Sequence, residues 1–118
     1  MAQVRFLLDL YHGDLPGAYA TLHPAYRRIV TRKRFVACTR KAALGELDSI
    51  DILDVSDDTV DLPGAGRVPA KAVRVRLTSS AGGATTFVNH EVEVGSEWRW
   101  VLNSPAVRAY RAGRCPGS

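Results

Sequence analysis

The sequence has little cysteine: Cys38 in FVACTRKAAL and Cys115 in AGRCPGS are the only two in 118 residues. A structural metal site needs three or four ligands at suitable spacing, and two distant cysteines without a histidine cluster do not supply them. A redox motif would separate the two cysteines by two residues. Two interpretations remain: a pair of free thiols, or one disulfide, which would indicate an oxidising compartment.

Long apolar runs are also missing. No stretch of 18 apolar residues occurs, so the sequence predicts no transmembrane segment. The opening MAQVRFLLDLYHGD is too short and too polar for a signal peptide, because Asp9 interrupts its apolar part. We interpret it as an amphipathic helix. If the protein is exported, we expect its signal or anchor to lie in a segment absent here.

Acidic residues are absent between Leu15 and Gly45, where seven cations fall: Arg27, Arg28, Arg32, Lys33, Arg34, Arg40 and Lys41. Seven acids follow: Glu46, Asp48, Asp51, Asp54, Asp57, Asp58 and Asp61. The net charge is only +4, so the basic block is a local feature. The favoured interpretation is a solvated helix face that meets these acids. Anionic lipid or nucleic acid is the alternative partner. The lack of aromatic residues alternating with the cations disfavours nucleic acid.

Motifs for cofactors and common hydrolytic chemistry are absent. The glycines of GAYATLHP and PGAGR lack the GK[ST] ending of a phosphate loop. The acidic stretch DVSDDTVD lacks the glycine and the terminal glutamate of a calcium loop. No GxSxG elbow is present. The sequence therefore predicts no cofactor and no metal site.

Ordinary composition, with 46% hydrophobic and 24% charged residues, indicates one domain over residues 1–118. Apolar residues at helical spacing predict a first helix over about 2–12. Asp14 is expected to cap a short second helix, and a further turn follows at HPAYRRIV. Thr31 is expected to cap a third helix that runs to about Leu44, with Gly45 past its end. Helices thus account for about residues 2–45.

From Glu46 onward the apolar period changes to two, which predicts a sheet over about residues 46–103. LDSIDILDVS, KAVRVRLTS, TTFVNHEVEV and EWRWVLN each alternate as strands. DDTVDLPGAGRVPA is interpreted as a turn-rich connection, and SAGGA as a hairpin turn. A tail helix is expected at about 104–112, with Ser104 as cap and Pro105 in its first turn.

These elements predict an α+β domain, in which N-terminal helices pack on a curved four-stranded antiparallel sheet and a short C-terminal helix follows. FLLDLYHGDLPGAYATLHPAYRRIVTRKRFVACTR and NHEVEVGSEWRWVLNSP resemble the nuclear-transport-factor-like superfamily, which includes ketosteroid isomerases and SnoaL-like proteins. The resemblance covers nearly the whole chain and implies a cone-shaped, cystatin-like roll with an apolar mouth. It is strongest to small extracytoplasmic members of the bacterial lipoprotein type, which often end in a tail helix with a cysteine, as YRAGRCP does.

The disulfide is the favoured interpretation of the two cysteines. Cys115 belongs to a polar terminus, where a free thiol has no packing role, and a bond to Cys38 would pin the tail helix to the third helix. The disulfide in turn predicts an extracytoplasmic location, either secreted or membrane-anchored. Free thiols would predict the cytoplasm.

His90 is the one candidate general base, because it falls in step with Val88, Val92 and Val94 on an apolar strand face. Tyr11, Tyr19 and Tyr26 on the helices could supply a hydroxyl donor, and Tyr11 is the candidate paired with His90. The ligand-binding candidates are Tyr11, Tyr19, His90, Trp98 and Trp100. The resemblance implies a carboxylate base in isomerases and a histidine–aspartate pair in dehydratases, and alternation shows no inward aspartate. A satisfied core histidine is the competing interpretation.

Three functions follow from these expectations. The favoured one is a non-catalytic extracytoplasmic module that binds a small apolar ligand or a protein partner. The second is a small cofactor-free isomerase or dehydratase that uses His90 as its base. The third is a structural accessory domain whose sheet face packs on another domain or forms a homodimer with a second copy.

Overall fold

The structure is a computed structural model that describes residues 2–42 and 44–117. Three helices come first, with a 3-10 turn at Pro24–Tyr26: α1 Ala2–Tyr11, α2 Leu15–Ala20 and α3 Arg32–Lys41. Four strands and a last helix follow: β1 Leu47–Leu62, β2 Gly66–Ser79, β3 Ala84–Val94, β4 Glu97–Trp100 and α4 Ser104–Arg111. The strands form one curved, open antiparallel sheet in the order β1-β2-β3-β4, which confirms the predicted α+β class.

Side-chain caps start α2 and α3 where the sequence predicts them, whereas α4 is capped by Asn103 and not by the predicted Ser104. The Asp14 carboxylate accepts a hydrogen bond from the Gly17 N–H at 3.0 Å, and the Thr31 hydroxyl accepts one from the Arg34 N–H at 3.2 Å. Each bond satisfies a backbone donor that has no partner inside its helix. Helix α3 ends at Lys41, earlier than expected, and the predicted helical residue Ala43 lies outside the described residues.

The connection predicted for DDTVDLPGAGRVPA is wrong, because most of it is strand. β1 runs to Leu62 and β2 starts at Gly66, and the two strands stay in register through Leu62 opposite Gly66. The turn needs only three residues, and Gly64 and Gly66 adopt the positive φ values of 74° and 72° that it requires. The polar stretch before the turn is exposed on both faces of the strand, so apolar and polar residues do not alternate in it.

The core lies between the helices and the sheet. Phe6 of α1 stacks on Trp100 of β4 with 3.9 Å between ring centroids, and Phe35 of α3 lies 5.9 Å from the same indole. The Trp100 indole N–H donates to the Ala18 carbonyl at 2.9 Å, so α1, α2 and α3 all meet the sheet at this side chain. Leu22, Val73 and Val75 are fully buried around it.

The side of the sheet to which each residue belongs follows from the register, since residues directly opposite in an antiparallel pair share a face. Glu91 lies opposite Trp100, so it shares the face that packs on α1. His90 lies opposite Ala72 and therefore belongs to the other face. The predicted grouping, with His90 on the helix-packed side and Glu91 in solvent, is wrong. Of the three expected apolar neighbours of His90, Val88 and Val94 are 49% and 39% exposed, whereas Val92 is buried.

Candidate functional site

An apolar cavity of about 260 Å³ lies between α1, α3, α4 and the end of the sheet, and we call it the helix cavity. Its apolar lining comes from Phe6, Leu10, Phe35, Ala42, Leu44, Trp100, Val101, Leu102, Ala106, Tyr110 and Pro116. Ala42, Leu44 and Pro116 are exposed and mark its opening. Its volume lies just below the range of about 300–1,000 Å³ that is typical of small-molecule sites. The cavity therefore suits a small apolar group.

The wall of the helix cavity is fixed by the disulfide. Cys38 of α3 and Cys115 after α4 are bonded, with their Cα atoms 5.4 Å apart, which confirms the predicted pairing. Cys38 itself lines the cavity, and Pro116 follows directly after the bonded partner. The bond therefore holds the tail, residues 112–117, against α3 and sets the distance between two walls of the cavity.

The five predicted ligand-binding residues are not brought together. Trp100 lines the helix cavity. The Tyr19 hydroxyl is buried and donates to the Val30 carbonyl at 2.8 Å, which is a structural role. Tyr11 lies beside Leu47 and Phe87 at another part of the sheet, and Trp98 is 36% exposed. Tyr11 therefore does not share a pocket with His90.

A buried polar cluster joins α1 to β3 next to the helix cavity. The Gln3 backbone N–H donates to Glu91 Oε2 at 2.9 Å, and the Gln3 side chain donates to the His90 carbonyl at 3.3 Å. Asn89 in turn donates to Gln3 Oε1 at 3.1 Å. Burial raises the pKa of the Glu91 carboxyl, and the hydrogen bond from Gln3 opposes part of that rise. Asn89 also lines the cavity, and it is the polar group that this cluster presents there.

His90 does have a carboxylate partner. Its Nε2 lies 2.7 Å from Asp58 Oδ2 of β1, across the small residues Ala70 and Ala72 of β2. The hydrogen bond to His90 and a second one from the Thr59 N–H lower the pKa of Asp58. The expectation that no aspartate would meet His90 is wrong. Alternation relates residues within one strand, whereas Asp58 lies on β1, and the sequence predicted that β1 ends before Asp58.

The His90–Asp58 pair opens into a second depression of about 460 Å³, which we call the histidine groove. Beyond the pair, it is lined by Tyr26, Thr59, Val60, Asp61, Arg67, Val88, Asn89, Val101, Leu102, Asn103, Ser104 and Pro105. Tyr26 is almost wholly buried, and burial raises the pKa of its hydroxyl. A histidine, a carboxylate and a phenol thus line one groove. Of the three helical tyrosines that the sequence offered as hydroxyl donors, Tyr26 is the one that lines the groove with His90.

Among residues 2–42 and 44–117, no group of three or more histidine, cysteine, aspartate or glutamate side chains is arranged to hold a metal ion. In the same residues, no helix combines the length and the hydrophobicity that crossing a bilayer requires.

Helices packed on a curved antiparallel sheet, with an apolar cavity between them, define a cone-shaped α+β domain. Its fold is that of nuclear-transport-factor-2-like (NTF2-like) proteins. A crystal structure from Campylobacter jejuni that carries the provisional name NTF2-like transpeptidase is similar with a TM-score of 0.57. The two chains are 16% identical, and the match covers 83% of this chain and 92% of that one. The likeness confirms the fold that the resemblance implied, and at this identity it concerns the fold alone. No protein-family model matches the sequence, and no curated protein is significantly similar.

Proposed function

We propose that this chain is an extracytoplasmic binding module and that a small apolar ligand occupies the helix cavity. The observation that carries the proposal is the cavity itself, whose walls are aromatic and aliphatic side chains with Asn89 and Asn103 as polar contacts. Ligand sites of this kind combine an apolar lining with a few polar groups that orient the ligand. The Cys38–Cys115 bond supports the compartment, because disulfides persist in oxidising surroundings.

An uncharged fluorescent probe, N-phenyl-1-naphthylamine, tests the ligand site. Ala106 lines the cavity from α4, so Ala106→Leu fills part of the volume. Ala37→Leu makes the same change on the exposed side of α3 and is the matched control. We expect Ala106→Leu to weaken probe binding by at least about tenfold, because the leucine displaces part of the probe from the cavity. Each CH₂-sized group of the probe that is no longer buried removes about 0.8 kcal/mol of binding free energy. Ala37→Leu should leave binding unchanged. A native protein that does not bind the probe, or equal loss in both variants, would contradict the proposal.

The compartment is tested on the protein from its native host. Alkylation before reduction, followed by mass spectrometry, should find both cysteines protected. Two alkylated thiols would place the chain in a reducing compartment and remove the support for an extracytoplasmic location.

The histidine groove favours a second candidate function, a cofactor-free isomerase or dehydratase. The specific observation is the 2.7 Å contact between His90 and Asp58 with Tyr26 in the same groove. Asp58 would orient the imidazole and stabilise its protonated form, His90 would remove a proton next to a carbonyl, and Tyr26 would donate to the developing oxyanion. Tyr26 replaces Tyr11 in this role because Tyr11 does not line the groove.

Deuterium exchange tests this second function. Small cyclic ketones in D₂O are followed by NMR for exchange of the proton next to the carbonyl. If the groove is catalytic, His90→Gln should abolish protein-dependent exchange. His12→Gln changes an exposed histidine that directly follows α1, and this variant should retain the exchange. Equal exchange by the native protein and His90→Gln would eliminate the enzymatic candidate.

A further inference from the structure

Four cations of the basic block, Arg32, Lys33, Arg40 and Lys41, are exposed on α3, whose buried residues are Phe35 and Cys38. Arg28 and Arg111 line the same surface depression, which joins the 3-10 turn to α4. Arg34 of α3 lies over the Tyr110 ring of α4 at 6.0 Å, and Cys38 is bonded to Cys115 further along. These contacts bring α4 and the tail after it next to Arg28 and α3 at three points.

We call the exposed cations of α3 the basic face: Arg32, Lys33, Arg40 and Lys41. The sequence contains no acid between Leu15 and Gly45, or from Trp98 to Ser118 in the segment that is bonded to α3, so neither segment carries a compensating charge.

The acids that follow the basic block do not neutralise it. The ion pairs among residues 2–42 and 44–117 are Arg67–Asp61, Lys71–Asp57, His90–Asp58 and Arg99–Glu97. All four lie within the sheet, so in the described part of the chain no cation of the basic face has an acidic partner. The expected neutralisation of the block by its sequence neighbours is therefore wrong. Six of those acids lie on β1, at one edge of the sheet, and Glu46 directly precedes it.

We propose that the basic face docks on the surface of an anionic phospholipid bilayer. Charge complementarity is the first reason, because each lysine or arginine near an anionic membrane adds to the attraction between the protein and the membrane. The second reason is the opening of the helix cavity beside Lys41, where Leu44 is 40% exposed and Pro116 is also exposed. An apolar rim next to cations suits headgroups and acyl chains. Phosphate chains of nucleic acid fit less well, because the aromatic rings of α3 and α4, Phe35 and Tyr110, are buried and offer no stacking surface.

Vesicle co-sedimentation tests the docking surface. The native protein should bind vesicles of phosphatidylcholine that contain phosphatidylglycerol, should not bind phosphatidylcholine alone, and should lose affinity as salt rises. The double variant Lys33→Gln/Arg40→Gln should weaken vesicle binding by about 30-fold, because that is what two basic residues usually contribute to the affinity for an anionic membrane. Arg74→Gln/Arg76→Gln removes the same charge from exposed positions of β2 and should change binding by less than about twofold.

Each alternative outcome overturns the proposal. Failure of the native protein to bind anionic vesicles excludes the membrane, and equal loss in both double variants shows a net-charge effect without a docking face. Displacement from vesicles by an equal charge concentration of oligothymidine identifies a nucleic-acid surface instead. Circular dichroism melting confirms that all variants are folded. The proposal is independent of the helix-cavity ligand, so Ala106→Leu should still bind vesicles.

Discussion

The buried contact between Gln3 and Glu91 shows how one carboxylate is held inside this small domain. Glu91 is 4% exposed and Gln3 is fully buried, yet each has a hydrogen-bond partner in the other. The Gln3 backbone N–H lies in the first turn of α1, where helix donors have no partner within the helix. The carboxylate therefore supplies the missing acceptor and also fixes the position of α1 on the sheet.

Substitution of Glu91 separates its hydrogen bond from its charge. Glu91→Ala leaves the Gln3 N–H buried without an acceptor and should cost roughly 1–3 kcal/mol of unfolding free energy. Glu91→Gln keeps an acceptor and should retain most of the stability at neutral pH. Urea denaturation of the native protein and both variants measures the difference. Equal losses in both would show that the charge, and not the acceptor, is what the site requires.

The raised pKa of Glu91 also predicts a pH dependence. A carboxyl group whose pKa is higher in the folded state favours folding at pH below its unfolded pKa. That contribution is lost as the pH rises from the unfolded pKa, about 4.3, through the folded pKa. Glu91→Gln should therefore lose less stability than the native protein as pH rises from acid to neutral. Identical urea profiles across this range would contradict the prediction.

The two tryptophans of β4 have different roles. Trp100 is buried, stacks on Phe6 and donates to the Ala18 carbonyl, whereas Trp98 lies on the same face but is 36% exposed. Trp100→Phe should cost about 2 kcal/mol or more, because it leaves a buried carbonyl without this donor and opens space in the core. Trp98→Phe, the same change two residues away, should stay within about 0.5 kcal/mol. Urea denaturation of the two variants checks the contrast.

At the scale of elements, the helices and their order could be predicted because apolar spacing and capping residues are local signals. Strand alternation predicted β3 but assigned its faces wrongly. The pattern places Val88, His90 and Val92 together as the apolar set, while Asn89 and Glu91 are the residues that pack on α1. Tertiary hydrogen bonds to Gln3 compensate the buried polar groups, and no local pattern reveals a partner nearly ninety residues away.

The long β1–β2 hairpin shows why the candidate site was only partly predictable. Its outer half is polar on both faces, so the strand gave no alternation, and Asp58 was interpreted as part of a turn. Once the hairpin extends to Leu62, the register brings Asp58 within reach of His90 across Ala70 and Ala72. The histidine groove therefore depends on pairing between strands and not on any motif.

The start of α4 offers a direct test of an element boundary. The Asn103 side chain accepts from the Ala106 N–H at 2.8 Å, so Asn103, and not the predicted Ser104, is the cap. Asn103→Ala should lower the unfolding free energy by about 0.5–2 kcal/mol, and Ser104→Ala should have little effect. Urea denaturation of the two variants measures this. Greater loss in Ser104→Ala would show that the cap is Ser104 after all.

For the whole molecule, the disulfide joins α3 to the segment that follows α4. It closes a loop with a sequence separation of 77, for which chain entropy gives roughly 4–5 kcal/mol. That is a large share of the 5–15 kcal/mol by which domains are usually stable. The bond also holds Pro116 and α4 at the opening of the helix cavity. Stability and the geometry of the helix cavity are therefore linked through one covalent bond.

Removal of the disulfide tests whether the stability of the fold and the geometry of the helix cavity depend on the same bond. Cys38→Ser/Cys115→Ser should lower the unfolding free energy by about 2–5 kcal/mol, the usual range for a native disulfide. Under conditions where it remains folded, it should bind N-phenyl-1-naphthylamine more weakly, because the tail no longer holds the cavity wall. Dithiothreitol should reproduce both effects in the native protein and change nothing in the variant, which controls for the reductant itself. If stability falls while probe affinity is unchanged, the bond stabilises the fold but does not shape the cavity, since α4 then holds its place by packing alone.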